Sequence, residues 1–174
     1  ESLPSAARVS GYLAGIGQDG VLRLACKDEL VVRLVRRPGH FVVPGSPLAW
    51  VWPGRRIDDG MRARIGSVFL VEQQRTAFQD VEFTVDQLVE IAVRALSPGI
   101  NDPFTAVACI DRLGAGLCRL AGRAMPSPSR FCAEGRPRVM ARPVAFPAGG
   151  KPRVPPIPPS APPPPRRSGP SPRP

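Results

Sequence analysis

Lysine and histidine are nearly missing from this chain. Lys27 and Lys151 are its two lysines against 22 arginines, and His40 is its one histidine. The four cysteines, Cys26, Cys109, Cys118 and Cys132, include no C-x-x-C pair. A zinc site needs closely spaced ligand pairs, so no metal is expected, and nothing in the chain calls for a cofactor. Cys109 and Cys118 stand nine residues apart and fall on different faces of a helix, and the four thiols are expected to be buried or incidental. A lone histidine with no serine or cysteine nucleophile placed by a motif does not make a catalytic triad, and His40 is expected to be a solvated turn residue. Long apolar runs are missing as well. The longest uncharged run, residues 38–54, is broken by Pro38, Pro44, Pro47 and Pro53, whereas a membrane-spanning helix needs about 20 apolar residues in a row. The chain opens at Glu1 without an initiator methionine or a signal-like apolar region, which reads as a fragment or a processed product.

What is present is unevenly spread. The net charge of +10 belongs almost wholly to the end of the chain. Residues 1–122 hold 14 Lys and Arg against 13 Asp and Glu, and residues 123–174 hold 10 against one, Glu134, together with 17 of the 24 prolines. The part able to fold is therefore near neutral. Nucleic-acid binding, which wants its basic charge on a structured face, is not expected.

In chain order, residues 1–8 read as a lead-in. Residues 10–16 read as a strand, 17–20 as a turn in which Asp19 caps the next element, and 21–27 as a helix or a strand, the spacing of Val21, Leu22, Ala25 and Cys26 favouring a two-turn helix. Residues 30–35, rich in valine, form a strand that ends at Arg36-Arg37-Pro38-Gly39. Residues 40–43 and 48–52 are short strands, 58–68 a helix capped by Asp58 or Asp59, and 69–71 a strand. The central helix, from about Asp80 to Leu96, carries Val85, Leu88, Val89, Ala92, Ala95 and Leu96 on one stripe, with Asp86, Glu90 and Arg94 opposite. Its start offers two caps, a Thr76–Gln79 capping box or Asp80. Pro98-Gly99 stops it, and Asp102-Pro103 opens the next helix, which runs to about Arg123. Residues 125–129 read as a linker and 138–141 with 144–146 as one strand. The fold class expected is α+β: a small bent β-unit, barrel- or sandwich-like (8–72), an antiparallel helix pair (73–124), a linker with a strand (125–146) and a disordered Pro/Arg-rich tail (147–174).

The motif R-T-x-x-Q-D at 75–80, then L-V-E-I-A-V-R-A-L-S-P-G-I-N-D-P-F-T-A at 88–106 and Asp111-Arg112-Leu113, resembles a bacterial family of predicted membrane proteins catalogued as domain of unknown function 2254. R-P-G-x-F-V-x-x-G-x-P-L-A at 37–49 and residues 138–146 resemble it too. The resemblance implies a soluble region lying C-terminal to transmembrane helices that this chain lacks, a location at the bacterial cell membrane, and attachment through a missing N-terminal region. It implies no catalytic role. After Phe146 the family continues in folded structure, whereas this chain turns Pro- and Arg-rich, so a displaced frame or a truncated end is expected there. The turn P-G-H-F-V-V-P-G-S-P-L-A also resembles biotinyl and lipoyl carrier domains, but neither lysine stands in an exposed hairpin, and carrier function is rejected.

Arg75, Gln79, Asp80, Asn101, Asp102 and Thr105 are the candidate ligand-binding residues, for a small anion or an ion. The first three flank the start of the central helix and the last three its end. A helix of that length holds its ends more than about 20 Å apart, so one site needs chain folding back or a second subunit. The expected function is a non-enzymatic domain with an assembly or ligand-sensing role, acting as a homo-oligomer. The alternative is an enzyme for a small polar or anionic substrate at Arg75 and Asp102.

Overall fold

The computed structural model describes residues 1–142. The expected strand segment 144–146 and the tail 147–174 lie outside the described residues.

β-branched and apolar residues alternating along short segments build two sheets, neither of them closed. The larger uses β1 (Leu3–Ala6), β3 (Val31–Leu34), β5 (Pro47–Trp52), β7 (Ser129–Phe131) and β8 (Pro137–Met140), in the order β1-β5-β3-β8-β7. Its pairs are antiparallel except β3 with β8, which run parallel with Val32 opposite Val139. The smaller sheet places β2 (Gly11–Ile16) between β4 (Phe41–Val42) and β6 (Phe69–Glu72). On β3 the period of two is visible as burial, with Val32 and Leu34 inside and Arg33 outside.

Helix α1 (Gln18–Lys27) and helix α2 (Asp59–Gly66) cover the sheets with Val21 and Ala25, and with Met61 and Ile65. A short 3-10 turn spans Gly54–Arg56. The core combines both sheets and both helices, with Leu13, Leu30, Val32, Val42 and Val51 fully buried. Each such side chain contributes about 1.5–3 kcal/mol by leaving water. Asp58 caps α2 by accepting the Met61 N–H at 2.6 Å.

Three local readings are corrected. The lead-in contains β1, which pairs with β5 along the edge of the large sheet. Ser129, read as the end of a linker, opens β7, because a hairpin to β8 gives its backbone partners. Asp19 is not a cap: α1 begins at Gln18, three residues before the expected start, after Gly17, and Asp19 sits in the first turn where it suits the helix dipole.

Helices α3 (Val81–Ala95) and α4 (Pro103–Ala121) are joined by a short loop and pack chiefly on each other. Neither shares an extensive contact with the strands or with α1 and α2. The pair therefore stands out from the β-unit, tethered by the segments before α3 and after α4. Among the described residues no helix is long and apolar enough to cross a membrane.

Candidate functional site

At the start of α3 the polar motif is engaged side chain by side chain. Asp80 is 4% exposed, and its Oδ1 caps the helix by accepting the Phe83 N–H at 3.1 Å. Its Oδ2 accepts from Arg75 Nε at 2.8 Å, while Arg75 Nη1 donates to Asp86 Oδ2 at 2.9 Å. The guanidinium lies 5.3 Å from the centre of the Phe83 ring, within cation–π reach. The bonds to Asp80 and then Asp86 push the Arg75 pKa further up, so it stays a cation at any working pH. Gly39, at φ +91°, lets the turn after β3 come so close that an added Cβ would strike the Asp80 carboxylate.

Gln79 does not form the capping box read from its spacing with Thr76. Its amide turns back to β2, where Oε1 accepts the Ile16 N–H at 3.0 Å and Nε2 donates to the Ile16 carbonyl at 3.3 Å. Strand β4 pairs only with Gly11 and Tyr12, so the far end of β2 lacks a strand partner on that side, and the Gln79 amide supplies one. Arg37 adds a further tie, donating through Nη2 to Glu82 Oε2 at 3.0 Å and through Nε to His40 Nε2 at 3.2 Å. His40 is thus half-buried rather than a solvated turn residue. Burial and then the cations Arg37 and Arg36 lower its pKa, outweighing Glu82 and Asp80. Together these contacts latch the foot of the helix pair to the β-unit. Sequence spacing did not point to Ile16, Arg37, Gly39 and Glu82, because no local pattern marks a partner on another element.

At the far end, Asp102 caps α4, with Oδ1 accepting the Thr105 N–H at 3.1 Å and Oδ2 accepting the Thr105 hydroxyl at 2.6 Å. The Thr105 hydroxyl first, then its N–H, hold the Asp102 carboxyl below the usual range. The Asp102 N–H closes the loop on the Ala95 carbonyl at 2.8 Å. Asn101 sits in the left-handed region at φ 45° and is exposed. Arg75 therefore meets Asp80, and Asp102 meets Thr105, whereas the Gln79 amide turns away to β2 and Asn101 stays exposed. The 15 residues of α3 hold the two groups about 22 Å apart. Among the described residues no group of three or more His, Cys, Asp or Glu side chains is placed to hold a metal ion.

The family described as "Predicted membrane protein (DUF2254)" matches residues 1–149. This chain belongs to that family. It is 36% identical over 135 residues to an uncharacterized protein of Mycobacterium bovis and to one of Mycobacterium tuberculosis strain H37Rv, covering 75% of this chain and 26% of each relative. An uncharacterized protein of M. tuberculosis strain CDC 1551 is 35% identical over the same length. The chain thus spans about a quarter of the length of the relatives it matches. No solved structure matches it.

The helix pair of this DUF2254 chain carries a feature the apolar stripes did not announce. Leu88, Ala92 and Ala95 of α3 turn inward, as do Ala106, Cys109 and Leu113 of α4. The rest of each stripe is uncovered. On α3 the exposed row is Val81, Val85, Val89, Val93 and Leu96. On α4 it is Phe104, Val107, Ile110 and Leu117, with Phe104 85% exposed.

Proposed function

We propose that this part of the DUF2254 chain is a non-enzymatic assembly module of a bacterial membrane protein. In this reading the polar motif fastens a helix pair whose apolar face meets a partner. Membrane attachment is assigned to parts of the longer relatives beyond the matched quarter. One observation carries the reading: Arg75, Asp80 and Asp102 of the motif are spent on caps and on Arg75 bridging Asp80 and Asp86, while one outward face of the helix pair is apolar. The enzyme alternative needs Arg75 and Asp102 in one site, and within one chain the length of α3 keeps them apart.

Thermal and urea unfolding with a phosphate titration test this. Asp80→Ala removes a cap and leaves Arg75 without its buried partner, so it is expected to cost about 2–3 kcal/mol. Arg75→Ala is expected to destabilise in the same direction. Phosphate is expected to give no saturating rise in melting temperature. A saturating rise in the wild type that Arg75→Ala abolishes would replace the assembly reading with a ligand site.

A further inference from the structure

We infer that the exposed face of the helix pair docks on the same face of a second copy of this chain, with α3 of each lying over α4 of the other to close a four-helix bundle. The inference deepens the assembly reading above and rests on it.

The two rows lie on one side of the pair. Relative to its inward residues, the α3 row is turned about a quarter turn in the direction in which the chain advances, and so is the α4 row. The helices run antiparallel, so equal rotations on both bring the rows to the same side. The polar flank, with Arg94 on α3 and Arg112 on α4, falls on the opposite side.

The area fits a stable dimer. At their observed exposures the two rows present on the order of 800 Å², the per-partner area of a standard stable interface. A patch of that size exceeds what a soluble monomer ordinarily leaves in water.

The side-chain sizes favour α3 on α4. The α3 row is valine along nearly its whole length, while the α4 row alternates Phe104, Ile110 and Leu117 with the gap at Gly114, where an added Cβ would meet nothing within 4 Å. Small facing large allows the rows to interdigitate, whereas α3 on α3 would set valine against valine. The rows are also nearly equal in length, about 22 Å from Val81 to Leu96 and about 20 Å from Phe104 to Leu117.

The charges bordering the α3 row suit a protein partner. Glu82, Asp86 and Glu90 are each paired within their own chain, to Arg37 at 2.9 Å, Arg75 at 2.9 Å and Arg94 at 2.6 Å. The α3 rim is therefore neutralised within each copy, while on the α4 side exposed Asp111 borders the row and, among the described residues, makes no ion pair. A helix that lies on an anionic membrane surface flanks its apolar face with Lys and Arg instead.

Sedimentation equilibrium of the whole chain reads the outcome directly. The wild type is expected to be a dimer. Val93→Glu and Ile110→Glu, at positions 66% and 61% exposed in the single chain, are expected to be folded monomers by circular dichroism, their dimerisation weakened at least a hundredfold. Arg112→Glu, on the opposite flank, is expected to remain a dimer. A monomeric wild type, or a dimer that survives both apolar-face variants, overturns the inference. In the monomeric case, vesicles of phosphatidylcholine and phosphatidylglycerol decide the other occupant: binding lost in Val93→Glu would make it lipid. A monomer without the phosphate effect described above removes only the second copy, whereas the phosphate effect removes the assembly reading itself.

Discussion

Asn101 shows how a residue that looks chemical can be conformational. Its left-handed backbone at φ 45° is one that only glycine and, less readily, Asn or Asp adopt without strain. Asn101→Gly is therefore expected to leave stability unchanged or raise it slightly, and Asn101→Ala to cost under about 1 kcal/mol in urea unfolding. Equal damage from both would mean that the amide itself makes an essential contact. His40 gives a pH dependence whose sign is fixed by its surroundings. Its folded-state pKa lies below the ordinary 6.5, so the unfolded chain binds the proton more readily. The stability that neutral His40 contributes is full above that ordinary value and is lost as pH falls below it through the lower folded-state value. Protonation removes the acceptor for Arg37 and sets a third cation beside Arg36 and Arg37, with Glu82 and Asp80 compensating in part. Urea midpoints compared between pH 8 and pH 5.5 are expected to fall more in the wild type than in His40→Gln. At this scale the sequence marked Asp102 as a cap outright and Asp80 as one of two candidates, since Asp80 with Phe83 and Asp102 with Thr105 are three residues apart. It was silent on Gln79, whose partner Ile16 is 63 residues away.

Among the elements, the helix pair was legible because everything that forms it is local. Asp80 opens α3, Pro98-Gly99 ends it, and Asp102-Pro103 opens α4. Its outlook was not legible. A stripe such as Val85, Leu88, Val89 and Ala92 states that a face is apolar, not whether this chain or another surface covers it. The structure divides that stripe between inward Leu88 and Ala92 and outward Val85 and Val89. The latch is similarly an affair of elements. Gln79→Ala leaves the Ile16 N–H and carbonyl without their partners and is expected to cost about 1–3 kcal/mol. Hydrogen exchange is expected to quicken at the far end of β2 and at the start of α3 while the amides of β3 and β5 stay protected. Uniform quickening throughout would show that the latch and the core unfold as one unit.

For the whole molecule, most strands could be placed from β-branched runs, but their order could not. The large sheet draws β1 from the first residues and β7–β8 from beyond the helix pair, and pairing between such distant segments leaves no local mark. Neither turn signals nor periodicity indicates that Val139 settles beside Val32. A chain ending at residue 124 is expected to lose cooperative unfolding and to aggregate, because it lacks two of the five strands of this sheet. A sharp, reversible melt of that fragment would show that β1, β3 and β5 suffice.

The parallel pairing of β3 with β8 bears on the order in which the ribosome delivers the protein. Strand β3 is synthesised about a hundred residues before β8, and until β8 emerges its backbone is an open edge next to the apolar residues of β5. The helix pair leaves the tunnel during that interval with its valine row bare. The nascent chain thus carries two adhesive surfaces at once, an unpaired strand edge and an apolar helical face, and the first closes only when residue 140 is free. Slow translation between α4 and β8 lengthens that exposure, so the rate of synthesis across residues 122–140 bears on how much of this chain reaches its folded state.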